Sequence, residues 1–462
     1  MTAARRPAIA VALAIVCAAL LALQRALLET AARLQSPVDL FFDPLRPVTA
    51  AVVRSLPYRV IDTVFAPPAW IHVAMIVLAA LQTLALYALY RALRDREAGR
   101  GEYVALALVA AFMIGVALQA PTVNGFDAYA DAGYAKLGLA HAYTPLATPL
   151  GNGFGLVNTI WGNPMPPDAQ GPGWVALAAA TAGRAATVGG AIFTLRVIEV
   201  VALLALTALL VRRNRAAIAI PALVALNPAL YLTFVVNAHP DLFAVTLAIG
   251  AAAAAAAFPI LAVVLLACAA LIKLPLILLA PAVLVPPRAS TPLTARTSAA
   301  ARLAYIALAA LIAVLASLSL GGTPYLARFA AEVRAAFVPA GVTGLIAVAI
   351  RCGLVIVAAT ALVRVFRFGF VRPAAQWSFI VLSPTIAPAA VAWILPYSAQ
   401  ARTLLAASLI LFPIATAIFD VSFGQTGLGI TAIAAILVYA IIEAIRLRNA
   451  SAATIEDQRS AV

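Results

Sequence analysis

Charged side chains make up only 10% of this 462-residue chain, against about 25% in an ordinary soluble domain. With 65% hydrophobic residues and a mean hydropathy of +1.04, it has too little polar surface to cover a water-soluble fold. That excludes a soluble enzyme, a disordered regulator and a secreted disulfide scaffold. Cysteine is nearly absent: Cys17, Cys268 and Cys352 stand inside apolar runs without metal-ligand spacing, and they read as small buried hydrophobes. A glycine-rich phosphate loop is missing. So is an outer Asp-x-Asp pair that would chelate a nucleotide diphosphate through a metal; the nearest approach, Asp95-Arg96-Glu97, lies in an arginine cluster. Acidic residues are outnumbered, 17 against 31 Lys+Arg, for a net charge of +14. The basic residues form short clusters between apolar runs, not a stripe interleaved with aromatics. The excess therefore marks topology and not nucleic-acid binding.

Long apolar runs are what the chain has in abundance. A crossing takes about 20 apolar residues, and about 12 to 14 candidates can be read. They are 7–28, 70–89, 103–120, 191–211, 216–236, 242–258, 260–272, 274–285, 303–320, 345–362, 377–395 (broken by prolines), 404–419 and 428–445. The first is longer than the apolar core of a signal peptide and lacks a clean cleavage site, so it reads as a retained span. Arginine clusters at 5–6, 94–100, 212–215, 288–302, 364–372 and 446–448 fall on one side when the spans alternate. By the positive-inside rule that side is cytoplasmic. The alternation requires 174–186 to lie at the outer interface without crossing. The expectation is an all-α polytopic protein of a bacterial-type plasma membrane, with both termini cytoplasmic.

Few polar groups then face outward: the insert 29–68, the loop 121–172, the turn His239-Pro240-Asp241, Lys273 between two short spans, and the loop 321–341 with Arg328, Glu332 and Arg334. In the long loop, Asp127 and Asp131 are four residues apart, so a helical segment would put both carboxylates on one face. A hydrolase needs two carboxylates, an acid and a base. Transfer from a sugar phosphate needs one, because the phosphate leaves already charged. On spacing alone, a solvated helix cap is the commoner role for an Asp in Asp127's place. Lys273 is costly to bury and so is either a functional cation or a snorkelling lysine. Arg328 and Arg334 run against the charge bias, as interfacial charges or as anion partners. Arg196 and Glu199 read as an i,i+3 pair. Asp241 reads in part as a helix cap after Pro240. Trp161 and Trp174 read equally as sugar-stacking platforms and as interfacial aromatics.

The loop as a whole is more specific than its spacing. Asp127 with Tyr129 and Gly133, then Tyr143, Ile160-Trp161 and Gly171-Pro172-Gly173-Trp174, resembles the first outer loop of membrane glycosyltransferases of the GT-C fold. The resemblance is nearest to the polyprenol-phosphomannose-dependent α-mannosyltransferases. Downstream, Asn227-Pro228 with His239-Pro240-Asp241, Lys273-Leu274-Pro275, and Ser383-Pro384 with Trp393 and Pro396 are similar to that family's later motifs. The chain departs from the pattern at His141-Ala142, at Gln170 and at Ala389-Ala390.

The resemblance implies a bundle in three parts: two N-terminal spans with an outer insert (1–102), a catalytic membrane module (103–419) with its catalytic loop at 121–172, and a last span with a short tail (420–462). It implies inverting transfer of a sugar, most readily mannose, from a polyprenyl phosphate to a lipid-linked or extracytoplasmic glycan. Asp127 would be the base, with Asp131 second. Tyr143, Trp161, His239, Asp241, Lys273, Arg328 and Arg334 would bind donor or acceptor. It calls for no cofactor beyond the lipid-linked donor and leaves a divalent metal open. The rivals are a transporter or flippase using Lys273 and Arg351 as a substrate path, and a non-catalytic membrane scaffold. The topology has a direct check. In a background free of native cysteine, a membrane-impermeant thiol reagent added outside should label a cysteine at position 163 and spare one at 214; the reverse pattern would invert the site's side.

Overall fold

A computed structural model describes residues 6–33, 69–94, 97–120, 126–144, 170–213, 218–255, 257–284 and 299–337, with parts of 150–168 and 406–417. Regular structure among them is entirely helical. The helices are α1 (Arg6–Arg33), α2 (Ala69–Leu93), α3 (Arg100–Leu118), α4 (Phe126–Leu137), α5 (Leu139–Ala142), α6 (Pro172–Thr181), α7 (Val188–Arg213), α8 (Ala219–Ala225), α9 (Pro228–Val236), α10 (Asp241–Ala254), α11 (Pro259–Ile272), α12 (Ala280–Leu284) and α13 (Ala299–Phe337). Most of the 29–68 insert, the expected spans 345–362, 377–395 and 428–445, and Arg351 lie outside the described residues.

Among the described residues, five helices are long and apolar enough to cross a membrane: Pro7–Glu29, Val73–Leu93, Arg100–Leu118, Val188–Arg212 and Leu303–Ala331. The pair α8 and α9, bent by 44°, makes a sixth if it is one span. Their outward faces confirm the solvent they are built for. Ile15, Leu84, Leu108, Val201 and Leu311 are each more than half exposed, a distribution suited to lipid and not to water. Gln24 and Gln82 are buried between α1 and α2, joined by a 2.6 Å hydrogen bond, the kind of polar tie that holds helices together in hydrocarbon.

The interior is built around α10, an alanine-rich helix that packs on α7 and α11. Small side chains bring these helices close, so the chain segments that precede and follow them are brought close too. α9 begins at Pro228 under an Asn227 cap, whose Oδ1 accepts the Ala229 N–H at 3.2 Å while its Nδ2 donates to Leu409 O at 2.8 Å. It then widens into a π-helix over Tyr231–Val236 and ends in a turn where Ala238 takes φ 50°. A side chain there costs about 1–2 kcal/mol. A π-turn and a strained residue on either side of one short segment are features that gather at functional positions, and the residue they aim is His239.

Two other breaks matter. The hinge expected at Lys273 is present: α11 stops at Ile272, Lys273 is extended (φ −135°, ψ 99°), and a 3-10 turn follows over Leu274–Leu279. In α13 the helix kinks at Gly322 (φ 65°), just before Pro324. The long loop is not irregular throughout, for α4 and α5 occupy its first part. α6, overlapping the segment 174–186 expected at the interface, has ten residues, about half of what a crossing requires.

Candidate functional site

The loop, the 237–241 turn and the Lys273 break converge. At their meeting point the Asp241 carboxylate is 3% exposed. His239 Nδ1 stands 2.7 Å from its Oδ2, and Lys273 Nζ 3.2 Å from its Oδ1. Burial alone would raise the Asp241 carboxyl, but His239 and Lys273 outweigh it and hold the group below the usual carboxylate range. Asp241 is not the cap the sequence suggested. Pro240 takes the cap position without a side-chain bond, and Asp241 is the first helical residue of α10, where its charge also suits the helix dipole.

Glu199, on α7, is fully buried and lies within electrostatic range of His239, Asp241 and Asp131, with the Phe243 N–H on its side. Arg196, one turn earlier, faces other partners. Its Nε donates to Val236 O at 2.9 Å, and its Nη1 to Leu118 O at 3.1 Å and Ala120 O at 2.7 Å. The two residues expected to pair thus do separate work. Arg196 clamps the end of α3, where the loop departs, to the end of α9, where the His239 turn begins. The planar guanidinium fork, pre-organised with five donors, suits such a three-way clamp.

From the loop side, Asp131 on α4 is buried, 2% exposed, and neighbours both Glu199 and Tyr143. Tyr143 is buried at the end of α5, its ring centroid 5.1 Å from that of Tyr325 beyond the α13 kink. Burial first, then Asp168 and the nearby Tyr325, Tyr134 and Asp131, holds its phenol far above the ordinary tyrosine range. It remains a neutral donor and donates a hydrogen bond to Gln170 O at 2.9 Å. Asp168 N donates to Ala142 O at 2.8 Å, Gln170 N to Asp168 Oδ1 at 2.8 Å, and Gly171 N to Ile272 O at 2.8 Å. Asp168 is therefore tied to α5, and Gly171 to the residue before Lys273. A Cβ on Gly171 or Gly173 would collide with Leu271, which is why glycine occupies both positions.

Of the residues singled out from the sequence, His239, Asp241 and Lys273 come into contact, and Asp131 and Tyr143 lie near them by way of Glu199. Asp127 falls on α4 one turn before Asp131, but its side chain, like that of Arg334 on α13, lies outside the described residues, as does Trp161. Arg328 is half-buried on α13, three residues past Tyr325. Trp174 is 1% exposed, so it is a packed core residue and not an open stacking platform. Sequence reasoning missed Asp168 and gave Glu199 the wrong partner. Among the described residues, no group of three His, Cys, Asp or Glu side chains is placed to hold a metal ion. No family model, curated protein or solved structure matches the chain.

The triad makes a pH-dependent prediction. A carboxyl held below its unfolded value of about 3.9 stabilises the fold fully above that pH and loses the contribution as pH falls towards the folded value. Asp241→Asn takes the shared carboxylate from two partly buried cations, His239 and Lys273, and breaking a fully buried pair would cost about 3–5 kcal/mol, an upper bound here. The variant should unfold at a clearly lower temperature than the parent at pH 7, and the gap should narrow below about pH 4. Thermal melts in detergent across that range check it; a gap independent of pH would remove Asp241 from its ionised role.

Proposed function

We propose that the chain is an inverting glycosyltransferase of the GT-C fold, moving a sugar from a polyprenyl phosphate to a lipid-linked or extracytoplasmic glycan on the outer face of the membrane. Mannose is the sugar the resemblance favours. The observation that carries the reading is the meeting of His239 and Lys273 on the buried Asp241 carboxylate, with Asp131 near Glu199 beside it and Tyr143 near Asp131. They come from three distant stretches of sequence, each of which carries part of the resemblance.

The chemistry needs two things. The acceptor hydroxyl must lose its proton as its oxygen bonds to the anomeric carbon, and the bond from that carbon to the phosphate oxygen must break with its electron pair. A loop carboxylate takes the proton: Asp127 in this reading, with Asp131 one turn on. The donor phosphodiester carries one negative charge, and the departing phosphate monoester gains a second. Cations that meet this growing charge lower the barrier. Lys273 carries its charge beside Asp241, and His239 when protonated adds a second positive group on the same carboxylate. Asp241 keeps both in place without cancelling both. Arg328 and Arg334 belong to the same reading as further partners of donor or acceptor. The rival, a transporter, would draw on the same cluster through Glu199, which is buried within a spanning helix.

The test is transfer itself. The purified chain in lipid nanodiscs, given polyprenyl-phosphate sugars and a membrane extract as acceptor, should form donor-dependent product. Asp127→Asn should still fold and bind donor while turnover drops roughly 10²–10⁴-fold, as for loss of a positioned base. Asp131→Asn should lose much less, and Lys273→Ala should weaken donor binding or turnover. No product from any donor, or full activity in both carboxylate variants, would overturn the reading.

A further inference from the structure

α13 is two rods joined at a corner. Within Ala299–Phe337, Gly322 stands outside helical geometry at φ 65°, ψ −169°. Glycine reaches that region freely, whereas a Cβ there is strained. Pro324 follows two residues on; it lacks an N–H, and in a continuous helix its ring would press on the Leu320 carbonyl. The chain has two ways through this corner. It can bend at Gly322, as found, or run nearly straight with Gly322 helical and a proline kink at 324.

The rods differ in character. Before the bend, Leu303, Leu311, Leu315 and Leu320 are exposed in the manner of a lipid-facing span. Beyond it Arg328, Glu332 and Arg334 come close together, so the bend marks where the apolar rod ends. The second rod turns one face to the protein. Tyr325 is buried and Arg328 and Phe329 are half-buried, while Thr323, Ala327, Ala330 and Ala331 are exposed.

That inner face ends on the site. The Tyr325 ring centroid lies 5.1 Å from that of Tyr143 and 6.3 Å from that of Phe329. Gly321 makes the seat, for a Cβ there would stand 2.7 Å from the Tyr325 Cβ and 3.3 Å from Tyr143 Cε2. Tyr143 is the phenol bonded to Gln170 O, and α13 packs as well on α6 and on the 3-10 turn after Lys273. A tilted ring pair is a contact of modest strength: it holds a closed position and can be released.

We propose that residues 323–331 form a hinged lid over the Tyr143 side of the site, pivoting at Gly322 and latched by Tyr325 on Tyr143. The bent form is shut. Straightening at Gly322 lifts Tyr325 off Tyr143 and opens that side at the end of the apolar rod, where a ligand dissolved in the membrane arrives. The lid does not depend on which reaction the site carries.

Double electron–electron resonance on the full chain in lipid nanodiscs tests it. With Cys17, Cys268 and Cys352 replaced by alanine, spin labels go on Val73→Cys, near the start of α2, and on Ala331→Cys, both at exposed positions. The second label rides about 13 Å of helix beyond the pivot, so opening changes the distance by several ångströms. The parent should show one main distance, the closed one. Gly322→Ala, strained only in the bent form, should raise the ratio of a second distance to the first about tenfold. Tyr325→Ala, which removes the latch and leaves the hinge, should enrich that same second distance, and Tyr325→Phe, which keeps the ring, should match the parent. Should Tyr325→Ala fail to elute as a folded species, Gly322→Ala and Tyr325→Phe decide the matter. Distributions that superimpose on the parent's, or that broaden without a shared second distance, would mean a fixed bend and overturn the lid, leaving the transferase reading to its own assay. Failure of that assay would leave the lid intact.

Discussion

A carboxylate buried at the start of an apolar helix must be neutralised or it unfolds what surrounds it. Asp241 meets that constraint by sharing its two oxygens between His239 and Lys273. The consequences spread outward. His239 must stay in a strained turn, with Ala238 in the left-handed region. Lys273 stands where α11 stops, in extended backbone before Pro275. The opened backbone at Ile272 then offers a carbonyl to Gly171, and the end of the long loop docks there. A single buried charge thus ties the turn, the helix break and the loop.

Arg196 performs the complementary task on the other side. Its bonds to Leu118, Ala120 and Val236 join the end of α3 to the end of α9. The loop therefore leaves the bundle close to the turn that carries His239. These two residues, Asp241 and Arg196, are buried charges of opposite sign with different kinds of partner. The acid is met by side chains whose protonation can change, and the base by carbonyls whose charge cannot. The first is suited to chemistry and the second to holding position.

Much of the architecture was legible in the sequence, because lipid imposes simple rules. The helices α1, α2, α3 and α7 lie where the apolar runs predict them, since a crossing demands length and composition and little else. The Lys273 break and the His239–Asp241 turn were legible for the reverse reason: a charge in an apolar run is conspicuous. What escaped was rotation about helix axes. Arg196 and Glu199 stand one turn apart, and spacing allows a pair; only the packing of α7 against α9 and α10 shows that they reach different neighbours. Asp168 escaped because an irregular stretch has no period to read, and Gln170 stood out only as a departure from the family's pattern. Trp174 was open to two readings until its burial was seen.

If the chain is the transferase proposed above, the Lys273–His239 face seats the lipid-linked phosphate, and one structure would decide it. A cryo-electron microscopy map of the chain in nanodiscs, with a phosphonate analogue of a polyprenyl-phosphate sugar, should place the phosphonate within hydrogen-bond distance of Lys273 and His239. A phosphonate seated elsewhere on the chain, with the Asp241 cluster unchanged and unoccupied, would contradict it.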